Sequence, residues 1–282
     1  MTTTARMSVA LAELRGLWRR SMIAWPDGGR DTTTRVFWLQ GMHACIDLRQ
    51  PEALCPPVAS GPPSQFGAVS ALEDLSIMQC AQLAQQQGFA GQLEFNGKHY
   101  KWSRSIDFQP ASVNADAGSL SWQGEMLVET GCDLAYVEHW HRDRPAATLP
   151  AAAIALRDAD EHILAALLRV GAHFMFARDR AARASGGTLS DCVVGAATLR
   201  QARALVDCEI SFGHVGASGF RIAASTLPWR IGAALEPQLL HGWINTVDCA
   251  PNGAMRRRRW QIIDGEGELE SACGSTAAGV PQ

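Results

Sequence analysis

The residues best equipped for chemistry in this chain lie together in Tyr136-Val-Glu-His-Trp-His-Arg142. Side chains of an extended strand alternate, so Tyr136, Glu138, Trp140 and Arg142 share one face while Val137, His139 and His141 share the other. A phenol, an acid and an indole on one cavity wall could sandwich a flat ligand while Glu138 accepts a proton or a hydrogen bond. The competing structural reading packs the aromatic face into a core and pairs Glu138 with an arginine such as Arg20 or Arg49, because an unpaired buried acid is costly. His139 and His141 could offer two ligands to a metal, but no neighbouring segment supplies a third, and no metal site is expected.

A second constellation puts Asp47 and Arg49 on one strand face, with Trp38 and Gln40 on the adjacent segment. An Asp–Arg pair at i, i+2 can be a structural salt bridge or can orient a ligand carboxylate or carbonyl through the guanidinium fork. Glu129, after the apolar run Met126-Leu-Val128, is an acid in the right setting for a raised pKa. Arg104 raises the same question beside Asp107. In Asp207-Cys-Glu-Ile-Ser-Phe-Gly213 the acids alternate with an apolar face of Cys208, Ile210 and Phe212, which turns Asp207 and Glu209 outward unless the interior is polar. Trp229-Arg230, near a turn set by Pro228, is either an anion grip at a barrel mouth or a surface arginine stacked on an indole. The run Arg256-Arg-Arg-Arg-Trp260 splits its charges between two strand faces and reads as a solvated edge strand. No glycine-rich phosphate loop, nucleophile elbow or dinucleotide fingerprint is present, so no cofactor is expected.

Short alternating segments separated by Gly, Pro, Asn and Asp must position these groups. Candidate strands are 17–24, 35–40, 44–49, 91–95, 99–108, 119–123, 125–130 and 136–142, enough to close an antiparallel barrel. A helix over 70–87, stopped by Gly88, is expected to cap or plug it. The Ala-rich stretch after Pro145 reads as a linker into a second unit. There, strands at 151–157, 162–169 and 172–178 precede a helix over 190–202 and strands at 204–213, 219–226 and 256–263. Strands, helix, strands occur twice, which points to a duplication. The domains are therefore expected at 1–147 and 148–282. Glycines such as Gly91, Gly97 and Gly124 are candidate bulges that would exchange inside for outside.

With 282 residues, 47% hydrophobic and 19% charged, the chain has the composition of a globular protein of two domains. A net charge of −3 gives no field for nucleic acid or an anionic membrane. Glu13 and Arg15 interrupt the N-terminal apolar stretch, and nothing approaches the ~20 apolar residues of a membrane helix, so a cytoplasmic location is expected. The eight cysteines show neither a C-x-x-C pair nor zinc-ligand spacing and read as small buried hydrophobes.

Several pieces, in order, resemble the Hri1-like proteins of fungi and bacteria. They are Asp31-Thr-Thr-Thr with its following strand, Ile46-Asp-Leu-Arg49, Phe89-Ala-Gly91, Trp102 with Ser105-Ile-Asp-Phe108, Asp116-Ala-Gly118, Glu129-Thr-Gly131 and Tyr136-Val-Glu-His-Trp140. The resemblance covers roughly residues 18 to 142, with the second half matching in domain order. It implies two lipocalin-like antiparallel β-barrels in tandem, each with a short helix, and assigns no reaction.

The functional expectation is a cofactor-independent enzyme of lyase or isomerase type, moving protons on a small, partly apolar or aromatic molecule in a barrel cavity. Glu138 would be its base, Tyr136 a hydrogen-bond donor, Arg49 with Gln40 the polar clamp, and Trp38, Asp47, Glu129 and Trp140 the remaining lining. A noncatalytic carrier or sensor, whose acids would all be matched by arginines, and an interaction module with solid barrels are the alternatives. A homodimer is compatible with the sequence.

Overall fold

The computed structural model describes residues 9–55, 64–143, 149–160 and 162–273. Alternation of aromatic or aliphatic with polar residues builds the first sheet: β1 (Gly16–Ala24), β2 (Arg30–Asp31), β3 (Arg35–Gln40), β4 (Ala44–Gln50), β5 (Gln87–Phe95), β6 (Tyr100–Asp107), β7 (Ala117–Gln123), β8 (Met126–Gly131) and β9 (Val137–Arg142). All pairs are antiparallel, and β1 pairs with β9, so eight strands close into a barrel with β2 as a short flap on β1. The second sheet contains β10 (Ala151–Asp158), β11 (Leu164–Val170), β12 (His173–Arg178), β13 (Glu209–Gly216), β14 (Gly219–Ser225), β15 (Gln238–Leu240), β16 (Trp243–Cys249) and β17 (Met255–Glu266). Here β10 pairs with β17, and the curled sheet ends at β14 and β15.

Both sheets therefore run through the same circular order, with a weak or missing ladder between their fifth and sixth strands. In the first barrel β6 and β7 share two register pairs, Tyr100↔Gly118 and Lys101↔Ala117, and then diverge. In the second, residues 228–235 stitch the gap. The Ile222 N–H donates to the Ala233 carbonyl, that of Leu235 to Phe220, and that of Val247 to Leu235.

Where the barrels face each other both sides of the wall are buried, because they share a core. Phe37, Leu39, Ile46 and Leu48 on the outside of the first barrel meet Leu168, Met175, Ile210 and Phe212 of the second. Phe37 stacks on Phe212 with ring centroids 4.3 Å apart. The helices α1 (Ile77–Leu83), α2 (Leu189–Val194) and α3 (Leu199–Val206) pack into this shared core. α1 is shorter than the helix expected over 70–87. Ser76 caps it by accepting from the Gln79 N–H, Leu72–Asp74 is a separate 3-10 turn, and Gln87 and Gly88 already belong to β5. The single helix expected over 190–202 is two, since Gly195 ends α2 and Thr198 caps a new start. Residues 204–206 extend α3 instead of beginning a strand.

α1 is not the plug. The first barrel is stoppered by the 3-10 turn Leu11–Leu14 and the residues just before it, with Val9 and Leu14 entering the interior. There the Tyr100 hydroxyl donates to the Val9 carbonyl and the Trp18 indole to that of Leu14. The second barrel is filled from the other chain end, by α4 (Leu269–Cys273) with Ala272 and Cys273 buried. Of the expected bulges, Gly91 is one, with a register shift between Ala90 and Gly91; a Cβ there would lie 1.7 Å from the Ser103 carbonyl oxygen. Gly97 and Gly124 instead sit in turns at positive φ. The Arg256–Arg259 run is not an edge, for β17 lies between β10 and β16.

Candidate functional site

The interior of the first barrel has an aromatic layer and a charged layer. Trp18 and Trp38 stack at 5.7 Å, and Trp38 meets the edges of Trp140 at 5.2 Å and Trp102 at 6.1 Å. Beyond them lies an ion network. Glu138, 1% exposed, accepts at Oε1 from Arg20 Nη1 (2.6 Å) and Arg49 Nη1 (3.3 Å). Arg49 Nε also donates to Asp47 Oδ1 at 2.8 Å, and Arg20 Nη2 to Asp31 Oδ2 at 3.2 Å. Asp31 is set for this by its own sequence. Its Oδ1 accepts from the backbone N–H groups of Thr33 and Thr34, and these hydrogen bonds outweigh burial to hold its carboxyl down at about 2.

Glu138 is thus paired with both arginines that the structural reading offered, which changes which acid is chemically interesting. Glu129 faces Glu138 directly across the β8–β9 ladder and is 4% exposed. Its oxygens accept from the Tyr136 hydroxyl at 2.7 Å and the Trp140 indole at 3.1 Å, and no ion-pair partner reaches it among the described residues. Burial first, and the Glu138 charge second, push its carboxyl well above the usual range, the Tyr136 hydrogen bond acting against them. Burial thus favours the neutral form of Glu129 over the ionised one. Tyr136 is also raised, by burial and by Glu129.

The expected residues fall into two groups. Trp38, Asp47, Arg49, Glu129, Tyr136, Glu138 and Trp140 converge in this interior, whereas Gln40 does not join Arg49 in a clamp. Gln40 pairs with Cys45, while Arg49 pairs with Val36 four residues back along the same strand. The Gln40 amide is used by the Trp38 indole and by the carbonyls of His43 and Ala44. The space left beside Asp47, Arg49, Glu129 and Trp140 is about 10 Å³, about enough for one water. A larger void of about 170 Å³ lies beside Arg20, Asp31 and Arg49, on the arginine side of Glu138. His139 is half-buried and His141 exposed on the opposite face, and among the described residues no cluster of three or more His, Cys, Asp or Glu could hold a metal.

Room exists instead at the open seam. Where β6 and β7 part, a cavity of about 460 Å³ is lined by Lys101, Trp102, Arg104, Asp116, Leu134 and Tyr136 among others. Trp102 and Asp116 line both this cavity and the small interior void, so the seam leads to the Tyr136–Glu129 pair. Arg104 spans its rim, donating to Asp107 at 2.9 Å and Asp116 at 2.5 Å and lying over the Phe89 ring at 4.2 Å. Asp116 escaped the sequence reading as a site residue. Its only signal was the Asp116-Ala-Gly118 piece.

The second barrel also has a polar interior, the condition under which the sequence allows Glu209 to point inward, and it does. Glu209 and Arg230, 0% and 1% exposed, pair at 3.0 Å. Arg230 is thus neither a mouth grip nor a surface arginine. Arg178 binds Asp207 at 2.7 Å, and Arg258, from the basic run, binds Asp158 at 2.5 Å and Asp248 at 3.0 Å.

No family model matches the chain, and no curated protein matches it. Among solved structures, the crystal structure of the uncharacterized protein YLR301w of Saccharomyces cerevisiae is similar over 89% of this chain and 98% of that one. The TM-score is 0.50 and the identity 14%, which establishes likeness of fold. No described helix is long and apolar enough to cross a membrane.

Proposed function

We propose that this chain is a cytoplasmic member of the Hri1-like proteins that binds a small, partly apolar or aromatic molecule in the seam between β6 and β7. The observation that carries this reading is the 460 Å³ cavity, of a size usual for small-molecule sites, bounded by the indole of Trp102 and the hydroxyl of Tyr136. The Trp102 ring offers a stacking wall, and Tyr136 fixes a polar atom of the guest. Glu129 behind Tyr136, an acid whose neutral form burial favours, supports a second step, cofactor-independent proton transfer of the lyase or isomerase kind. In that step Tyr136 gives its proton to a carbonyl oxygen, Glu129 reprotonates Tyr136 across the 2.7 Å hydrogen bond, and the Glu129 carboxylate so formed takes back, through Tyr136, the proton that leaves the carbon beside that carbonyl. Glu138 is held by Arg20 and Arg49.

The test is to titrate the intact protein with small aromatic carbonyl compounds and follow amide shifts and tryptophan fluorescence. Shifts centred on Trp102, Asp116 and Tyr136 support the site; compounds that bind elsewhere, or not at all, leave a solid barrel and sink it. Deuterium uptake from solvent into a bound compound, lost in Glu129→Gln while binding persists, would separate catalysis from carriage.

A further inference from the structure

The second barrel contains its own occupant at the position where the first has a cavity. In circular order, buried charges sit on the first, third, seventh and eighth strands of both barrels. They include the partly buried Arg20 and Arg49 with Asp47, Glu129 and Glu138 in one, and Asp158, Arg178, Asp248 and Arg258 in the other, which adds Glu209 on its fourth strand. The acid of the seventh strand is Glu129 in the first barrel and Asp248 in the second. Between the fifth and sixth strands of the second barrel, residues 228–235 enter the gap and carry Arg230 inside. Its guanidinium binds Glu209 and the Val247 carbonyl, one residue before Asp248. The corresponding connection of the first barrel, residues 108–116, brings in an acid, Asp116, and no cation.

We infer that the seam of the first barrel takes a cationic guest, an amidine, guanidine or amine on an aromatic or apolar body, whose charged head does there what Arg230 does in the second barrel. This rests on the seam being the binding site. Charge balance supports it independently of the repeat. In the first barrel Arg20, Arg49 and Arg104 lie within 4 Å of Asp31, Asp47, Asp107, Asp116 and Glu138, three against five, with Glu129 outside any ion pair and Lys101 on the cavity wall. In the second, Arg178, Arg230, Arg256 and Arg258 lie within 4 Å of Asp158, Asp207, Glu209 and Asp248, four against four. The two seventh-strand acids respond accordingly. Burial raises both, but Arg178, Arg230 and Arg258 pull Asp248 below its ordinary value while Glu129 stays high. The void between seam and interior is ringed by Trp38, Phe89, Trp102 and Trp140, with Asp47, Asp116 and Glu129 and the single cation Arg49 between them, a wall whose ring quadrupoles favour positive charge.

A cation arriving beside Asp116 and Tyr136 stabilises the ionised form of Glu129, so binding releases a proton. The groups facing Glu129 are Tyr136 and Glu138 on β9, Asp47 and Arg49 on β4, and Asp116 from the β6–β7 connection, with Arg20 and Arg104 one contact further.

The experiment titrates the full chain with benzamidine, benzamide and benzoate by calorimetry in buffers of different ionisation heat, with amide shifts to place the probes. Benzamidine is expected to bind at the seam at least about tenfold more tightly than benzamide, with benzoate weakest and with proton release in the wild type. Loss of that release in Glu129→Gln, but not in Arg259→Ala at an exposed position over Trp243, would confirm its source. Should Glu129→Gln not fold, the buffer dependence of the wild type still decides. Benzamide or benzoate binding the seam as well as benzamidine overturns the cation assignment and leaves the seam site standing. Benzamidine binding without proton release overturns the role of Glu129, and failure of all three probes at millimolar concentration overturns the seam site as well.

Discussion

Two carboxylates of equal burial, directly opposite each other across β8 and β9, should respond oppositely to the same substitution. Glu138 touches two guanidinium groups at 2.6 and 3.3 Å. Removing one partner of a buried charge pair costs about 3–5 kcal/mol because it strands the other charge. Glutamine keeps the shape and one acceptor oxygen, so Glu138→Gln is expected near the lower end, about 3 kcal/mol. Glu129 has no guanidinium in an ion pair with it among the described residues, and burial favours its neutral form. Glutamine in its place can keep the Tyr136 hydroxyl as a donor and loses the Trp140 indole bond, a net cost of about 1 kcal/mol. Urea unfolding of both variants with unchanged slope measures the difference. The pH dependence adds a second reading with a definite sign. A carboxyl raised in the folded state keeps its proton while the unfolded chain loses one, so its contribution is full at acid pH and is lost as pH rises above about 4.3. Between that point and its folded pKa, wild type should lose about 1.4 kcal/mol per pH unit relative to Glu129→Gln. Equal costs for the two variants, or a flat difference with pH, would mean that Glu129 is ionised and refute the assignment.

Arg230→Met is expected to destabilise the chain by about 3–5 kcal/mol by leaving Glu209 charged and buried, with much of the loss recovered by adding Glu209→Gln; equilibrium denaturation of both reads this. Gly91→Ala should cost more than about 2 kcal/mol in the same assay, since its Cβ would meet the Ser103 carbonyl at 1.7 Å, whereas Gly97→Ala, with open space around it, should cost less despite its positive φ. Phe37→Ala should cost about 3–5 kcal/mol and lower the stability of both barrels together. Two separate thermal transitions by calorimetry would deny the shared core.

The mainly β architecture was legible in the sequence because the first barrel has a polar or solvent-facing residue at enough alternate positions to expose a two-residue period. Val137 to Arg142 followed that period without a break, and Glu138 and Trp140 face inward as the spacing implied. Where both faces of a strand are buried, the period carries no direction. Cys208, Ile210 and Phe212 face the shared core while Glu209 and Ser211 face the second barrel, and alternation alone made the acids look external. The short β15 and β16, Gln238–Leu240 and Trp243–Cys249, had no such pattern strong enough to be noticed. The site was half legible. Tyr136, Glu129 and Glu138 could be picked out, but their protonation depends on which acid the arginines of β1 and β4 reach, a matter of register over 118 residues. The seam was hidden for the same reason, since a missing ladder leaves no mark in composition.

Closure of the first barrel by its first and last strands has a consequence for synthesis. β1 leaves the ribosome early with its edge unpaired, and β9 follows about 118 residues later, as the Arg20–Glu138 pair marks. At about 5–20 residues per second, that interval is roughly 6–24 s. Throughout it β3 can already pair with Leu17 and Trp18, but Leu17 lacks the second barrel that covers it and the other edge of β1 stays open to wrong pairing, which makes that edge a target for a chaperone.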